Sequence, residues 1–287
     1  MIDKIPKKGE VLTALTHFWL TEALENINHH LWSSDITPNL NWAHDLKKHI
    51  PDLPLERSLV VKDMSKFVWP FEMIYRHHIG GSVFKKYQET GTAGGHKLPP
   101  GLAKWSKLEK PIFTPSTKEE IGNDINVDAN FFHDEMSKKG KSAEALQIVE
   151  DLTEIYAQAY SYAEKKGILI LDTKIEVAGL MIIDEILTPD SSRFGLKEDW
   201  EKAMTEGRDP YFYDKQIVRD WGMGIPTPFG VTGINKLKPE NQLHVEFVHT
   251  IKLPEDIISE TTRRYLAIFE MLVGCDLQEY QKTKMKI

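Results

Sequence analysis

Between residues 167 and 194 the chain reads GILILDTKIEVAGLMIIDEILTPDSSRF, and its charged side chains are spaced for chemistry. Asp172, Lys174 and Glu176 fall at every second position. On a strand, alternate side chains share a face, so two carboxylates and an ammonium group would stand side by side. Asp184 and Glu185 close the next apolar run, and Thr188, Pro189, Asp190, Ser191, Ser192 and Arg193 form a polar turn with its own cation. Carboxylates packed this closely repel one another unless something offsets the charge. A divalent cation is one answer, and oxygen donors without cysteine or clustered histidine suit magnesium rather than zinc. The other is a solvated strand face on which the lysine neutralises its neighbours. The pattern alone leaves both open.

The elements that must position these groups can be read from the flanking residues. The runs at 168–171 and 180–183 are short and rich in isoleucine, with Gly179 between them, which predicts a β-hairpin. Glu176 and Asp184 can share a metal only from one face. Pairing Lys174 opposite Asp184, with Ala178, Gly179 and Leu180 as the connection, meets that condition. Residues 69–78 predict a second strand with Glu72 and Arg76 on one face. Ile79, Gly80, Gly81 and Ser82 come next. Backbone N–H groups, a hydroxyl and a nearby arginine suit a phosphate, although paired glycines also mark ordinary turns.

Elsewhere, Leu12, Leu15, Trp19, Ala23, Ile27 and Leu31 recur at helical spacing, and His29 and His30 would face the negative end of that helix. A short strand is predicted over 58–62. Residues 88–115 are rich in Gly, Pro and Lys and read as a long loop; 123–137 read as irregular and acidic. Ser142 is placed to cap a long helix that buries Leu146, Val149, Leu152, Tyr156, Ala159 and Ala163, and Lys165, Lys166 and Gly167 end it. Helices are predicted at 197–207 and from 214, then a loop over 223–242. Pro254, Glu255 and Asp256 open a last helix that Gly274 stops, leaving Lys282, Lys284 and Lys286 as a solvated tail.

Composition narrows the class. A chain of 287 residues, 41% hydrophobic and 28% charged, has a substantial core. A net charge of −7 argues against general binding to nucleic acid or to anionic membranes. Cys275 is the single cysteine, so no internal disulfide forms. There is no apolar signal core and no run of membrane-spanning length, which points to the cytoplasm.

Five segments together resemble the SAICAR synthetase family. They are Pro70, Phe71 and Glu72 through Arg76 to Gly81 and Ser82; Pro111, Ile112, Phe113, Thr114, Pro115, Ser116, Thr117 and Lys118; Leu171, Asp172, Thr173, Lys174, Ile175 and Glu176; Asp184 and Glu185 with residues 188–194; and Asp214, Lys215 and Gln216 with Arg219, Asp220 and Trp221. The resemblance implies an α+β fold of two lobes related to ATP-grasp and kinase-like lobes. Residues 1–66 would be the remnant of an N-terminal nucleotide-binding lobe, and 67–287 the catalytic and substrate-binding lobe with its C-terminal helix. It implies a ligase that uses ATP and Mg2+ to join L-aspartate to carboxyaminoimidazole ribonucleotide (CAIR) through an acyl phosphate. A non-catalytic homologue that keeps only the ribonucleotide pocket is the alternative. The partners implied are these small molecules, with no nucleic acid and no membrane, and a homo-oligomer is allowed for.

Carried over residue by residue, the resemblance gives Glu176 and Asp184 the magnesium and sets Lys174 beside the reacting carboxylate. Arg76, Ser82 and Arg193 would hold the ribonucleotide 5′-phosphate and Asp190 its ribose hydroxyls. Glu72 and Lys118 would line the same pocket, and the backbone at Val61, Lys62 and Met64 would face the adenine. The family's His-Asp-x-Asn-Ile segment appears as Asn123, Asp124, Ile125, Asn126 and Val127, which makes Asp124 the catalytic candidate. His133 and Asp134 are a second candidate downstream. Ile5, Pro6, Lys7, Lys8 and Gly9 resemble the stretch that comes after the family's phosphate-covering strand pair. The lid is therefore expected to be absent from the chain as given, with weak phosphoryl transfer as the consequence.

Overall fold

Strand-forming β-branched residues at 168–178 build one continuous strand, and the molecule is layered around it. The computed structural model describes residues 3–34, 52–118 and 124–287. In chain order the elements are α1 (Lys8–Phe18), continued by a π-helical turn (Trp19–Ala23), β1 (Leu31–Ser33), β2 (Val60–Val61), β3 (Phe71–His78), α2 (Gly81–Thr90), β4 (Thr92–Ala93), β5 (His96–Lys97), β6 (Lys107–Phe113) and β7 (Ser116–Thr117). Then come α3 (Ala129–Lys138), α4 (Ser142–Glu164), β8 (Ile168–Ala178), β9 (Met181–Ile183), β10 (Ser192–Leu196), α5 (Lys197–Glu206), α6 (Gln216–Met223), α7 (Gln242–Thr250), α8 (Glu255–Val273) and α9 (Leu277–Tyr280). The main sheet is antiparallel with strand order β10-β8-β3-β6; β7 also pairs with β3, and β9 with β8. An antiparallel sheet with helices packed on it is the α+β class that the resemblance implies.

β8 is buried at every position except Lys174 and Glu176, which are half-buried. Helix α4 covers the sheet: Tyr156 stacks on Tyr75 of β3 with ring centroids 5.9 Å apart, and donates its hydroxyl to the Ile170 carbonyl at 2.6 Å. Helix α1 belongs to the same core, with Leu15 and Trp19 fully buried, and the Trp19 indole donates to the Leu187 carbonyl at 3.0 Å.

The β8–β9 hairpin forms with a different register from the one expected. Glu176 pairs with Ile183 and Ala178 with Met181, so the connection is Gly179 and Leu180 alone. Gly179, with φ 59°, takes the left-handed conformation of a two-residue hairpin turn. In this register Asp184 would fall opposite Ile175 and leave the Glu176 face. Asp184 instead leaves the strand at φ 59°.

The stretch read as a loop over 88–115 holds the end of α2 and strands β4, β5 and β6. β6 carries no clear strand pattern because it is the sheet's edge: Lys107, Glu109 and Lys110 face solvent, and Pro111 is tolerated where no ladder partner needs its missing N–H. Residues 123–137, read as irregular, include α3, capped by the Asp128 carboxylate accepting from the Phe131 N–H at 2.7 Å. Ser142 does not cap α4; it is the first helical residue, and Lys141 before it offers no side-chain cap. The buried stripe begins at Ala145 and Ile148, leaving Leu146 57% exposed. The first helix stops at Ala23, so His29 and His30 lie in an extended segment, where the His30 N–H donates to the Ile182 carbonyl at 3.0 Å. The expected 223–242 loop holds a 3-10 turn at Ile234–Lys236, and helix α7 starts at its last residue, Gln242, and buries no residue. Lys282, Lys284 and Lys286 are exposed as expected, but the tail does not fray: Gln281–Met285 form a helical turn, Tyr280 and Met285 are buried, and Lys284 pairs with Glu22 at 2.6 Å.

Candidate active site

The pleat of β8 sets Asp172, Lys174 and Glu176 on one face, and neighbouring strands supply a cation or carboxylate to each. Arg76 on β3 lies directly opposite Asp172, and Arg193 on β10 lies opposite it from the other side. The Arg76 Nη1 donates to Asp172 Oδ2 at 2.5 Å, and the Arg193 Nη1 donates to the same oxygen. Three strands thus contribute one lateral row, Arg76, Asp172 and Arg193. A register shift between Arg193 and Phe194 marks a bulge in this ladder. Bulges re-aim side chains and gather next to sites. Lys174 pairs with Glu72 of β3, whose carboxylate also accepts from the Ser116 hydroxyl at 3.0 Å. Glu176 pairs with Lys118. The crowded carboxylates are therefore offset by cations from distant positions in the chain.

Burial shapes the titration of this row. It pushes the Arg76 pKa down, against the pull of Asp172, while the Asp172 charge raises that of Arg193. Asp214, whose carboxylate lies 3.9 Å from the Arg193 Nε, is pushed up to about 6 by burial, with Arg193 acting in the opposite sense.

Two cavities open along this face. The first, about 240 Å3, is lined by Glu72, Arg76, Asp124, Lys174, Asp190 and Arg193, six of the residues singled out in the sequence. Asp190 is held there by Tyr265 of α8, which donates its hydroxyl at 2.5 Å, and by Lys8 of α1 at 2.7 Å. Asp172, Asp214, Lys215 and Arg219 also line it. The last three carry no role in the reading from sequence, although they lie in the fifth segment of the resemblance; that segment is the available signal. Burial lowers the Lys215 pKa, and the charge of Asp190 counters it. Both Asp124 and Asp134 are exposed, but only Asp124 is on the cavity wall; Asp134 lies on α3 outside it. Asn123 lies outside the described residues.

The second cavity, about 460 Å3, takes Val61, Lys62 and Met64 from one side and Glu176 and Asp184 from the other, with His30 and Lys118 between. The left-handed turn at Asp184 returns this carboxylate to the cavity that Glu176 faces. Glu185, next in sequence, is pushed up to about 7 by burial and by the charges of Asp190 and Asp184. Among the described residues no three His, Cys, Asp or Glu side chains converge as a ready metal centre. Two carboxylates on one open wall do fit a hard divalent cation that keeps water or phosphate oxygens as its other ligands.

Two residues are not where the resemblance put them. Lys118 lines the second cavity, not that of Glu72. Ser82 opens onto a neighbouring hollow of about 500 Å3, where its hydroxyl accepts from the Asn126 amide at 3.1 Å. Gly81 abuts the arginine row instead: a methyl group there would sit 3.6 Å from the Arg193 Nη2.

A sequence model described as SAICAR synthetase matches residues 1–229. The phosphoribosylaminoimidazole-succinocarboxamide synthase of Thermodesulfovibrio yellowstonii is 38% identical over 278 residues, covering 94% of this chain and 83% of that one. The enzyme of the same name from Schizosaccharomyces pombe is 34% identical over 283 residues, covering 96% and 83%. Among solved structures, the SAICAR-synthase from Saccharomyces cerevisiae complexed with SAICAR matches with a TM-score of 0.70 at 31% identity, over 96% of this chain and 84% of that chain. With a family model spanning most of its length and relatives of this closeness, the chain belongs to the SAICAR synthetase family.

Proposed function

We propose that the protein is an ATP-dependent ligase that joins L-aspartate to CAIR, giving SAICAR in purine biosynthesis. The observation that carries this reading is the meeting of Arg76 and Arg193 on one carboxylate oxygen, in a cavity that also holds Lys174. A guanidinium has five donors, so each arginine keeps several for an anion after serving Asp172. Their planar forks suit the 5′-phosphate of the ribonucleotide, and Gly81 lies beside Arg193. Asp190, held in place by Tyr265 and Lys8, accepts from the ribose hydroxyls. Glu72 orients Lys174.

ATP is assigned to the second cavity, with its adenine against the backbone of Val61, Lys62 and Met64. The cavity's walls come from residues before and after the boundary that the resemblance sets at residues 66 and 67. Glu176 and Asp184 would hold Mg2+, which when bound neutralises charge on the phosphates. Lys118 adds a cation at the same wall. Lys174 lies two residues along β8 from Glu176, and therefore between the two cavities. It neutralises the imidazole carboxylate while a carboxylate oxygen attacks the γ-phosphorus and ADP leaves. The aspartate amine then attacks the acyl carbon: a C–N bond forms, the C–O bond to phosphate breaks, and the amine loses a proton. Asp124, on the wall of the first cavity, is assigned to that step. Phosphoryl transfer between anions rests on positioning and charge neutralisation, which these residues provide.

Among the described residues no helix is long and apolar enough to cross a membrane. With a single cysteine and small-molecule substrates, we assign the enzyme to the cytoplasm. The test is ADP release that requires both aspartate and the ribonucleotide. ADP release independent of either one would refute the reading.

A further inference from the structure

Trp105 is held more firmly than a tryptophan in a connecting segment needs to be. Its backbone is left-handed, with φ 67°, a conformation that is strained for a bulky residue. The surroundings impose it. The Trp105 N–H donates to the Ile79 carbonyl at 2.7 Å, and its carbonyl accepts from the Trp200 indole at 2.9 Å and contacts the His78 Nδ1 at 3.2 Å. The indole N–H donates to Asp209 Oδ1 at 2.9 Å, and the ring meets Phe212 edge-on with centroids 4.8 Å apart. Gly80 makes room for the ring: a methyl group there would lie 1.9 Å from it. The residue is 3% exposed.

This arrangement presents a flat wall to Arg193, whose guanidinium carbon sits 5.6 Å from the ring centroid. Asp172 fixes one nitrogen of that guanidinium, and Asp214 lies near a second. Each contact holds one edge of the planar group, and a ring face adds a restraint on its tilt, because a guanidinium within about 6 Å of the ring is attracted to it.

We propose that Trp105 is a positioning residue for substrate recognition: its locked indole holds the Arg193 guanidinium in the plane that receives the 5′-phosphate of the ribonucleotide. This rests on the assignment of Arg193 to that phosphate. Trp105 does not line the ATP cavity; with Gly81 and Arg193 it lines a separate hollow of about 380 Å3, so its effect should reach the ribonucleotide through Arg193 and leave ATP untouched.

Steady-state kinetics of Trp105→Leu, Trp105→Phe, Arg193→Ala and the Trp105→Leu/Arg193→Ala pair test it. Trp105→Leu should raise the KM for the ribonucleotide about tenfold, with kcat and the KM for ATP within twofold of the parent. Trp105→Phe, which keeps a ring face, should restore most of the loss. In the Arg193→Ala background the leucine substitution should add less than twofold, since coupled residues are not additive. Should Trp105→Leu fail to fold, Asp209→Ala takes its place. That residue is exposed, and the change removes the acceptor of the indole N–H together with the surface partner of Lys104, so the ribonucleotide KM should rise about threefold. An unchanged ribonucleotide KM, an equal rise in every KM, or the full effect in the Arg193→Ala background overturns the proposal. If Arg193→Ala itself leaves the ribonucleotide KM unchanged, the phosphate assignment falls, and the proposal with it.

Discussion

Arg76 and Asp172 face each other across the β3–β8 ladder, joined Nη1 to Oδ2 at 2.5 Å, and each side chain is less than a tenth exposed. Asp172 is also the carboxylate between two guanidinium groups. Removing its charge leaves Arg76 and Arg193 facing each other with little between them. Breaking a buried pair in this way costs about 3–5 kcal/mol. Asp172→Asn should therefore lower the urea midpoint by the equivalent of that amount. Inorganic phosphate, taking the place of the lost anion, should recover part of the loss in the variant and do less for the parent. A midpoint unmoved by the substitution would mean that the row carries no structural charge.

Lys174 answers a different question, because it sits where two ligands would meet and its side chain is 40% exposed. Loss of a preorganised cation at the reacting carboxylate typically lowers the rate by a factor of about 100 or more. Lys174→Met should show that loss in aspartate-dependent ADP release. Its stability should fall by only about 1–3 kcal/mol, the cost of leaving Glu72 without its partner. Turnover within a few-fold of the parent would remove Lys174 from the chemistry.

Glu176 and Asp184 are the two carboxylates offered to a divalent cation. Magnesium titrations of activity should separate their role from a purely structural one. Glu176→Gln and Asp184→Asn should each raise the Mg2+ concentration for half-maximal activity at least tenfold, since even second-layer groups around a metal cost about that much. Asp220→Asn, at an exposed position away from that cavity, should leave it unchanged. Equal magnesium curves for all three variants would argue that the carboxylates only balance Lys118.

Asp214 gives stability a pH dependence with a defined sign. Its folded pKa is pushed from 3.8 up to about 6, chiefly by burial. The folded state therefore holds this proton more tightly than the unfolded chain does. Where the folded state binds more protons, stability falls as pH rises. The loss runs between about pH 4 and pH 6, reaches roughly 2–3 kcal/mol, and persists above that window. Arg193, Asp172 and Arg219 face the group, and the arginines limit the effect. Asp214→Asn should flatten this part of the urea-midpoint profile. A parallel slope in both proteins would show that Asp214 is not its source.

Much of this is readable from the residues themselves. The two-residue spacing of Asp172, Lys174 and Glu176 announces a shared face, and Gly207 and Gly274 end α5 and α8 as helix-stop chemistry requires. Pairing at a distance is not readable. Nothing local says that Asp172 meets an arginine 96 positions earlier, because strand register is decided by packing. The same gap hides Lys118, which leaves the Glu72 pocket for Glu176. Edge strand β6 looks like a loop because its outward side chains are charged, and α7 gives no period because it buries no face. Tyr265 and Trp105 have no signal at all: one reaches Asp190 from the far end of the chain, and the other depends on a backbone angle.

The alternation along β8 has one more consequence, for how this protein can change over generations. Adding or deleting one residue between Asp172 and Glu176 would reverse the facing of every side chain beyond it. It would put Glu176 into the packed layer under α4 and an isoleucine or valine into the cavity. The strand carries a reading frame of two, and it admits exchange of letters but not a change of length. Connections such as the segment before α7, by contrast, can lengthen without touching the ruler that spaces the two ligands.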